Sequence, residues 1–128
     1  MTEPNIPTLA ECGINQFKRR VYKTAVEHGW WENGERNMGE LIALMHSELS
    51  EALECWRNNE PMLWYKHDDP EICAKGEEKP LGLASEFADV IIRIFDACEH
   101  MNIPITQALI EKAAYNETRP YRHGNKRA

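Results

Sequence analysis

The chain lacks the usual signatures of small catalytic domains. It has no glycine-rich phosphate loop, no GxSxG elbow and no Cys–His pairing with nucleophile spacing. Its four cysteines, Cys12, Cys55, Cys73 and Cys98, include no CxxC and stand near no histidine pattern. That spacing suits neither zinc nor a disulfide framework, so they read as reduced thiols in a cytoplasmic protein. No apolar run is long enough to span a bilayer: the best, Val90 to Phe95, is interrupted by Arg93. Met1 to Pro7 is polar and proline-rich, a loose leader without a signal-peptide pattern. Positive charge is also in deficit. A net charge of −6 argues against binding a nucleic-acid polymer or an anionic membrane through the whole surface. Strand-like alternation is missing as well.

What remains is a sequence of helices. The 128 residues suit a single domain, and 42% hydrophobic with 28% charged residues describes a globular chain. Helical spacing predicts a first helix over Thr8–His28, with Gly29 as its stop. A turn carrying Trp30 and Trp31 follows. The second helix covers Gly39–Arg57, and Pro61 forbids its continuation. Residues 59–80 turn polar and proline-rich and read as a long loop with at most one helical turn. A third helix spans Leu83–Met101, and a fourth runs from Pro104 to Glu117. Residues 120–128 form a basic tail. The class is all-α, with four main helices.

The second helix organises the rest. Leu41, Ile42, Met45, Leu49, Ala52, Leu53 and Trp56 fall on one broad face, which predicts a core position for Trp56. Glu48 lands inside the edge of that face and Glu51 just outside it. Three residues apart, they sit on neighbouring turns. A carboxylate in a buried seam is costly unless paired, and a hard cation is one such partner. The third helix repeats the spacing with Glu86 and Asp89. If the two helices meet there, four carboxylates converge, and their repulsion calls for Mg²⁺ or Mn²⁺. Such an ion keeps positions for water and substrate phosphates and polarises a phosphoryl oxygen. Periodicity sets one difficulty. Ala84, Phe87, Ile91, Ile94, Phe95 and Cys98 make the third helix's core stripe, and Glu86, Asp89, Arg93 and Asp96 lie opposite. The acids can be ligands only if another helix or a second subunit meets that side.

Lys112, Asn116 and Arg119 align on one face of a continuing fourth helix, a set that suits a polyphosphate. Cations there also simply favour the helix dipole. Trp30 and Trp31 offer π-faces to a nucleobase, although each also reads as a core residue. His46 and His100 fall on polar sides without ligand spacing.

These residues together resemble the MazG-like, all-α nucleoside triphosphate pyrophosphohydrolases. HSELSEALE supplies an ExxE helix with Glu48 and Glu51, SEFADVIIR an ExxD helix with Glu86 and Asp89, and EKAAYNETRPYRHGNK a KxxxNxxR segment. The likeness extends over about residues 15–126. It implies a four-helix bundle completed by oligomerisation, as a homodimer or homotetramer. It also implies that the four acids hold magnesium at the substrate phosphates while water cleaves a nucleoside triphosphate to monophosphate and pyrophosphate. Lys112, Asn116 and Arg119 would then grip phosphates, and Trp30 or Trp31 would contact the base. One departure stands out: many members carry a further glutamate directly before the first ligand, where this chain has Ser47. Glu40, Glu54 and Asp96 are the candidates to replace it as general base. The alternative is a nucleotide-binding or helical interaction protein without turnover. A di-iron carboxylate bundle ranks last, because no ExxH pair is present.

Overall fold

The computed structural model describes residues 8–34, 36–66 and 78–127. Helix α1 covers Leu9–Glu27, α2 Met38–Arg57, α3 Leu83–Met101 and α4 Ile105–Thr118. Each boundary has a local cause. Thr8 Oγ1 accepts from Glu11 N and Asn37 Oδ1 from Glu40 N, so both helices begin on a capping side chain. Gly29, at φ 82°, and Asn102, at φ 56°, take the left-handed conformation that ends α1 and α3. After Pro120 the tail turns through Arg122–Asn125 at positive φ throughout. Among the described residues no helix is long and apolar enough to cross a membrane. Cys12, Cys55 and Cys98 are free thiols, and Cys73 lies outside the described residues.

The predicted loop over 59–80 is corrected in part. Trp64–Lys66 (β1) pairs antiparallel with Lys79–Leu81 (β2), Tyr65 facing Pro80. Strands of three residues, one holding a proline, give no readable alternation. Residues 67–77 of that stretch lie outside the described residues. The ribbon leads into α3 through Gly82, at φ 103°. A Cβ there would stand 2.6 Å from Pro61 O and 2.7 Å from Met62 O, and Met62 O also accepts from Ala84 N at 2.9 Å. Gly82→Ala must therefore move backbone, not a side chain. We expect it to cost more than about 1 kcal/mol in a denaturant titration. A neutral result would show that the ribbon does not constrain the start of α3.

Helix α3 is the centre of the molecule, packed against both α1 and α2, and α4 lies along α1. The main helix pairings are therefore α2–α3, α3–α1 and α1–α4, and one core cluster joins residues of α1, α2 and α3. Trp31, Leu41 and Ala97 form the buried centre, with Tyr22, Ala25, Met38, Met45 and Met101 packed against it.

The buried faces differ from those the periodicity singled out. On α2 the buried residues are Leu41, Glu48, Ala52 and Cys55. Leu49, Leu53 and Trp56 are exposed, Trp56 by 61%, so its predicted core position is not met within one chain. On α3, Phe87 and Ile91 are about half exposed, while the acidic side turns inward to α1 and α2. The partner that the acidic face of α3 requires is thus supplied in the same chain. The first part of the apolar stripe, Ala84, Phe87 and Ile91, stays open, while Phe95 packs on Phe17 and Cys98 is buried.

Candidate metal centre and adjoining cavity

Helices α2 and α3 run antiparallel and bring Glu48, Glu51 and Glu86 together, one carboxylate oxygen from each within 4.8 Å of the others. Glu48 is buried and accepts from Arg93 Nε at 2.7 Å. Glu51 is exposed, and Glu86 lies between these extremes. Glu86 Oε2 is shut off from solvent and has no hydrogen-bond partner among the described residues. An orphaned buried oxygen beside two further carboxylates needs a proton or a cation. The all-oxygen donor set fits a hard divalent ion such as Mg²⁺ or Mn²⁺. Asp89 is exposed and stands outside this close trio, on the side facing a neighbouring cavity. Three of the four predicted ligands therefore converge, and the fourth flanks them.

The charges respond to this crowding. Burial first, then the close approach of Glu51 and the charges of Glu51, Asp89 and Glu48, pushes the Glu86 carboxyl from 4.5 up to about 7. Burial and the charge of Glu48 also raise Asp89, with Arg93 opposing.

A pH dependence of the metal-free protein follows. Because the folded pKa of Glu86 lies above its unfolded value, its contribution is full below about 4.5 and is lost as pH rises through about 7. The melting temperature of the metal-free protein should fall between about pH 5 and about pH 8. Glu86→Gln should flatten that slope, and so should saturating Mg²⁺, which takes the proton's place. An unchanged slope in Glu86→Gln would assign the dependence elsewhere.

Two cavities adjoin the acids. The first, of about 410 Å³, opens where α1 and α2 diverge over α3. Val21, Ala25 and Ile92 give it apolar walls, and Trp30, Arg36, Arg93, Asp96, Glu48 and Asp89 give it its chemistry. The second, also about 410 Å³, holds Glu51 and Glu86 beside Ser47, Ser50, Glu54 and Glu60. Of the candidate general bases, Glu54 lies in this second cleft, with Arg57 Nη1 donating to it at 3.3 Å. Asp96 faces the first cavity, and Glu40 lines neither.

The two adjacent tryptophans separate. Trp31 is 7% exposed, its Nε1 donates to Asp96 Oδ1 at 2.8 Å, and its ring stacks on His100 at 3.8 Å and 11°. Arg36 sits over the same indole at 5.7 Å. Trp31 is therefore a member of the buried core. Trp30 is 62% exposed at the cavity lining, and no ring or cation stands over it among the described residues. His100, placed on a polar side by periodicity, instead bonds the Tyr22 hydroxyl at 2.9 Å beneath Trp31.

The basic set is not brought to the acids. Lys112 and Asn116 are exposed, and Lys112 and Arg119 flank the Tyr115 ring at 5.3 and 5.7 Å. Helix α4 meets α1 near its start: Thr106 Oγ1 donates to Asn15 Oδ1, and Gln107 and Glu111 share a cleft with Glu11 and Lys18. The acids lie level with Thr24 and His28 at the other end of α1. At 1.5 Å per residue, the separation along α1 is on the order of 20 Å. Arg36 and Arg93, by contrast, are at the site, and the sequence reading missed both. The signal for Arg93 was present: Glu86, Asp89, Arg93 and Asp96 follow one helical face.

No protein-family model, curated protein or solved structure matches the chain.

Proposed function

We propose that the chain is a divalent-metal-dependent nucleoside triphosphate pyrophosphohydrolase of the MazG-like kind, converting a nucleoside triphosphate and water to the monophosphate and pyrophosphate. The observation that carries this reading is the sealed, unpartnered Glu86 Oε2 set against Glu48 and Glu51. It gives three carboxylates a reason to converge that structural packing alone does not. Glu48, Glu51 and Glu86 hold Mg²⁺ or Mn²⁺, with Asp89 closing the site from the cavity side. When bound, the ion neutralises phosphate charge and polarises a phosphoryl oxygen.

The chain's own groups divide the remaining work. The first cavity takes the nucleoside, with Trp30 as the stacking surface. The phosphates extend towards the acids. The attacked centre is the α-phosphate: water's oxygen bonds to phosphorus, and the bond to the bridging oxygen of the β-phosphate breaks. Glu54, in the cleft shared with Glu51 and Glu86, takes the proton from that water in place of the carboxylate that Ser47 does not provide. The leaving pyrophosphate carries away the electron pair.

The assembly we propose is a dimer or a dimer of dimers. Leu49, Ala52, Leu53, Trp56, Leu83 and Phe87 line a groove with no polar lining, a stripe of the kind that a second copy covers. The second reading, a nucleotide-binding protein without turnover, is favoured by Ser47 alone. Incubation with each ribo- and deoxyribonucleoside triphosphate, with Mg²⁺, Mn²⁺ or chelator, decides between them. Metal-dependent pyrophosphate release from at least one nucleotide supports the hydrolase, and binding without release supports the alternative.

A further inference from the structure

Four acids around a phosphate-binding site pose an electrostatic problem that the metal only partly removes. The nucleoside cavity needs a fixed cation where its ligand's first phosphate enters. Lys112 and Arg119 lie far along α1 in the same chain, as described above. Arg36 stands over Trp31. Arg93 alone both lines the cavity and touches the acidic trio, through Glu48.

The geometry points to Arg93 as a phosphate-contacting residue, bridging Glu48 and the phosphate nearest the nucleoside. Its guanidinium spends Nε on Glu48 Oε1 at 2.7 Å. Nη1 and Nη2 make no hydrogen bond among the described residues, and the side chain keeps 35% exposure at the cavity edge. A guanidinium is a planar fork of five donors, and the terminal pair matches two phosphate oxygens. Its shape suits a shared role that an ammonium would fill less well. The surroundings keep it in place: Glu48 is buried and anchors one edge, while Asp89 and Asp96 on the same helix face flank it. Arg93 therefore counters the acids' repulsion at the cavity end of the site, opposite the cleft of Glu51, Glu54 and Glu86. The inference rests on the nucleotide reading above, but assigns a residue that neither the ExxE and ExxD acids nor the KxxxNxxR segment contains.

The competing explanation is that Arg93 only neutralises a buried glutamate. The two differ in which ligand they affect. We would titrate wild type, Arg93→Met and Arg93→Lys by calorimetry, in Mg²⁺, with the four deoxynucleosides and their 5′-monophosphates. Arg93→Met should weaken monophosphate binding by about ten- to a hundredfold, the size of a lost charge-assisted contact, and leave nucleoside binding within about twofold. Arg93→Lys should recover part of the loss, since it keeps the charge without the fork. If Arg93→Met does not fold by thermal melt, Arg93→Lys carries the test through an intermediate, phosphate-dependent loss. Equal losses for nucleoside and monophosphate, or no loss, overturn the role while leaving the hydrolase reading intact. A wild type that binds none of the monophosphates overturns the role, and the pyrophosphate-release screen decides the hydrolase reading separately.

Discussion

Glu51→Gln and Asp89→Asn should each lower pyrophosphate release by about a thousandfold or more at saturating Mg²⁺, while folding survives. The rate effect follows from the ion's contribution, several kcal/mol of charge stabilisation at the phosphoryl group, with each 1.36 kcal/mol worth about tenfold. The folding effect runs the other way. Glu51 and Asp89 both raise the pKa of Glu86, so each is a source of repulsion in the metal-free protein. Neutralising either relieves that repulsion, and the metal-free variants should melt no lower than the wild type. Glu48→Gln differs, because it also strips Arg93 of its charged partner. Rates measured alongside thermal melts separate these cases. A variant within about tenfold of wild type at Glu51 would remove the residue from the ion's shell.

The second large effect concerns the distance between the acids and the basic set. If Lys112, Asn116 and Arg119 grip the same substrate, a second copy must deliver them, since within one chain they lie on the order of 20 Å away along α1. Chains with Glu51→Gln and chains with Lys112→Ala and Arg119→Ala should then each be nearly inactive alone. Mixed through unfolding and refolding, half of the dimers pair one of each. In those dimers one site receives both defects and the other receives neither, so about a quarter of wild-type activity returns. Light scattering must show a dimer or larger under the same conditions. No recovery in verified mixed dimers would mean that the two sets do not meet across subunits. The cations beside Tyr115 would then belong to the end of α4 and its dipole.

The helices were legible in the sequence because their ends are chemically marked: Thr8 and Asn37 as caps, Gly29 and Asn102 as left-handed stops. The class and all four spans follow from those marks and from the 3.6-residue period. Which face of each helix is buried was not legible. Period analysis weighs Leu49, Leu53 and Trp56 more than Glu48, yet α3 covers Glu48 and leaves the others open. A stripe that packs within the chain and one that a second copy covers look alike in sequence, since both are apolar. The acids Glu48, Glu51 and Glu86 could be found by their i, i+3 spacing. Arg93 could not be assigned a partner, because its contact with Glu48 spans 45 positions. Trp30 and Trp31 are adjacent and identical in type, and only the long-range contacts of Trp31 with Asp96 and His100 tell them apart.

The most direct test follows the oxygen of the attacking water. The protein is incubated with a nucleoside triphosphate and Mg²⁺ in water enriched in heavy oxygen, and both products are weighed by mass spectrometry. Attack at the α-phosphate beside Glu48, Glu51 and Glu86 places the label in the nucleoside monophosphate and none in the pyrophosphate. Label in the pyrophosphate, or the release of orthophosphate instead, would contradict the proposed chemistry.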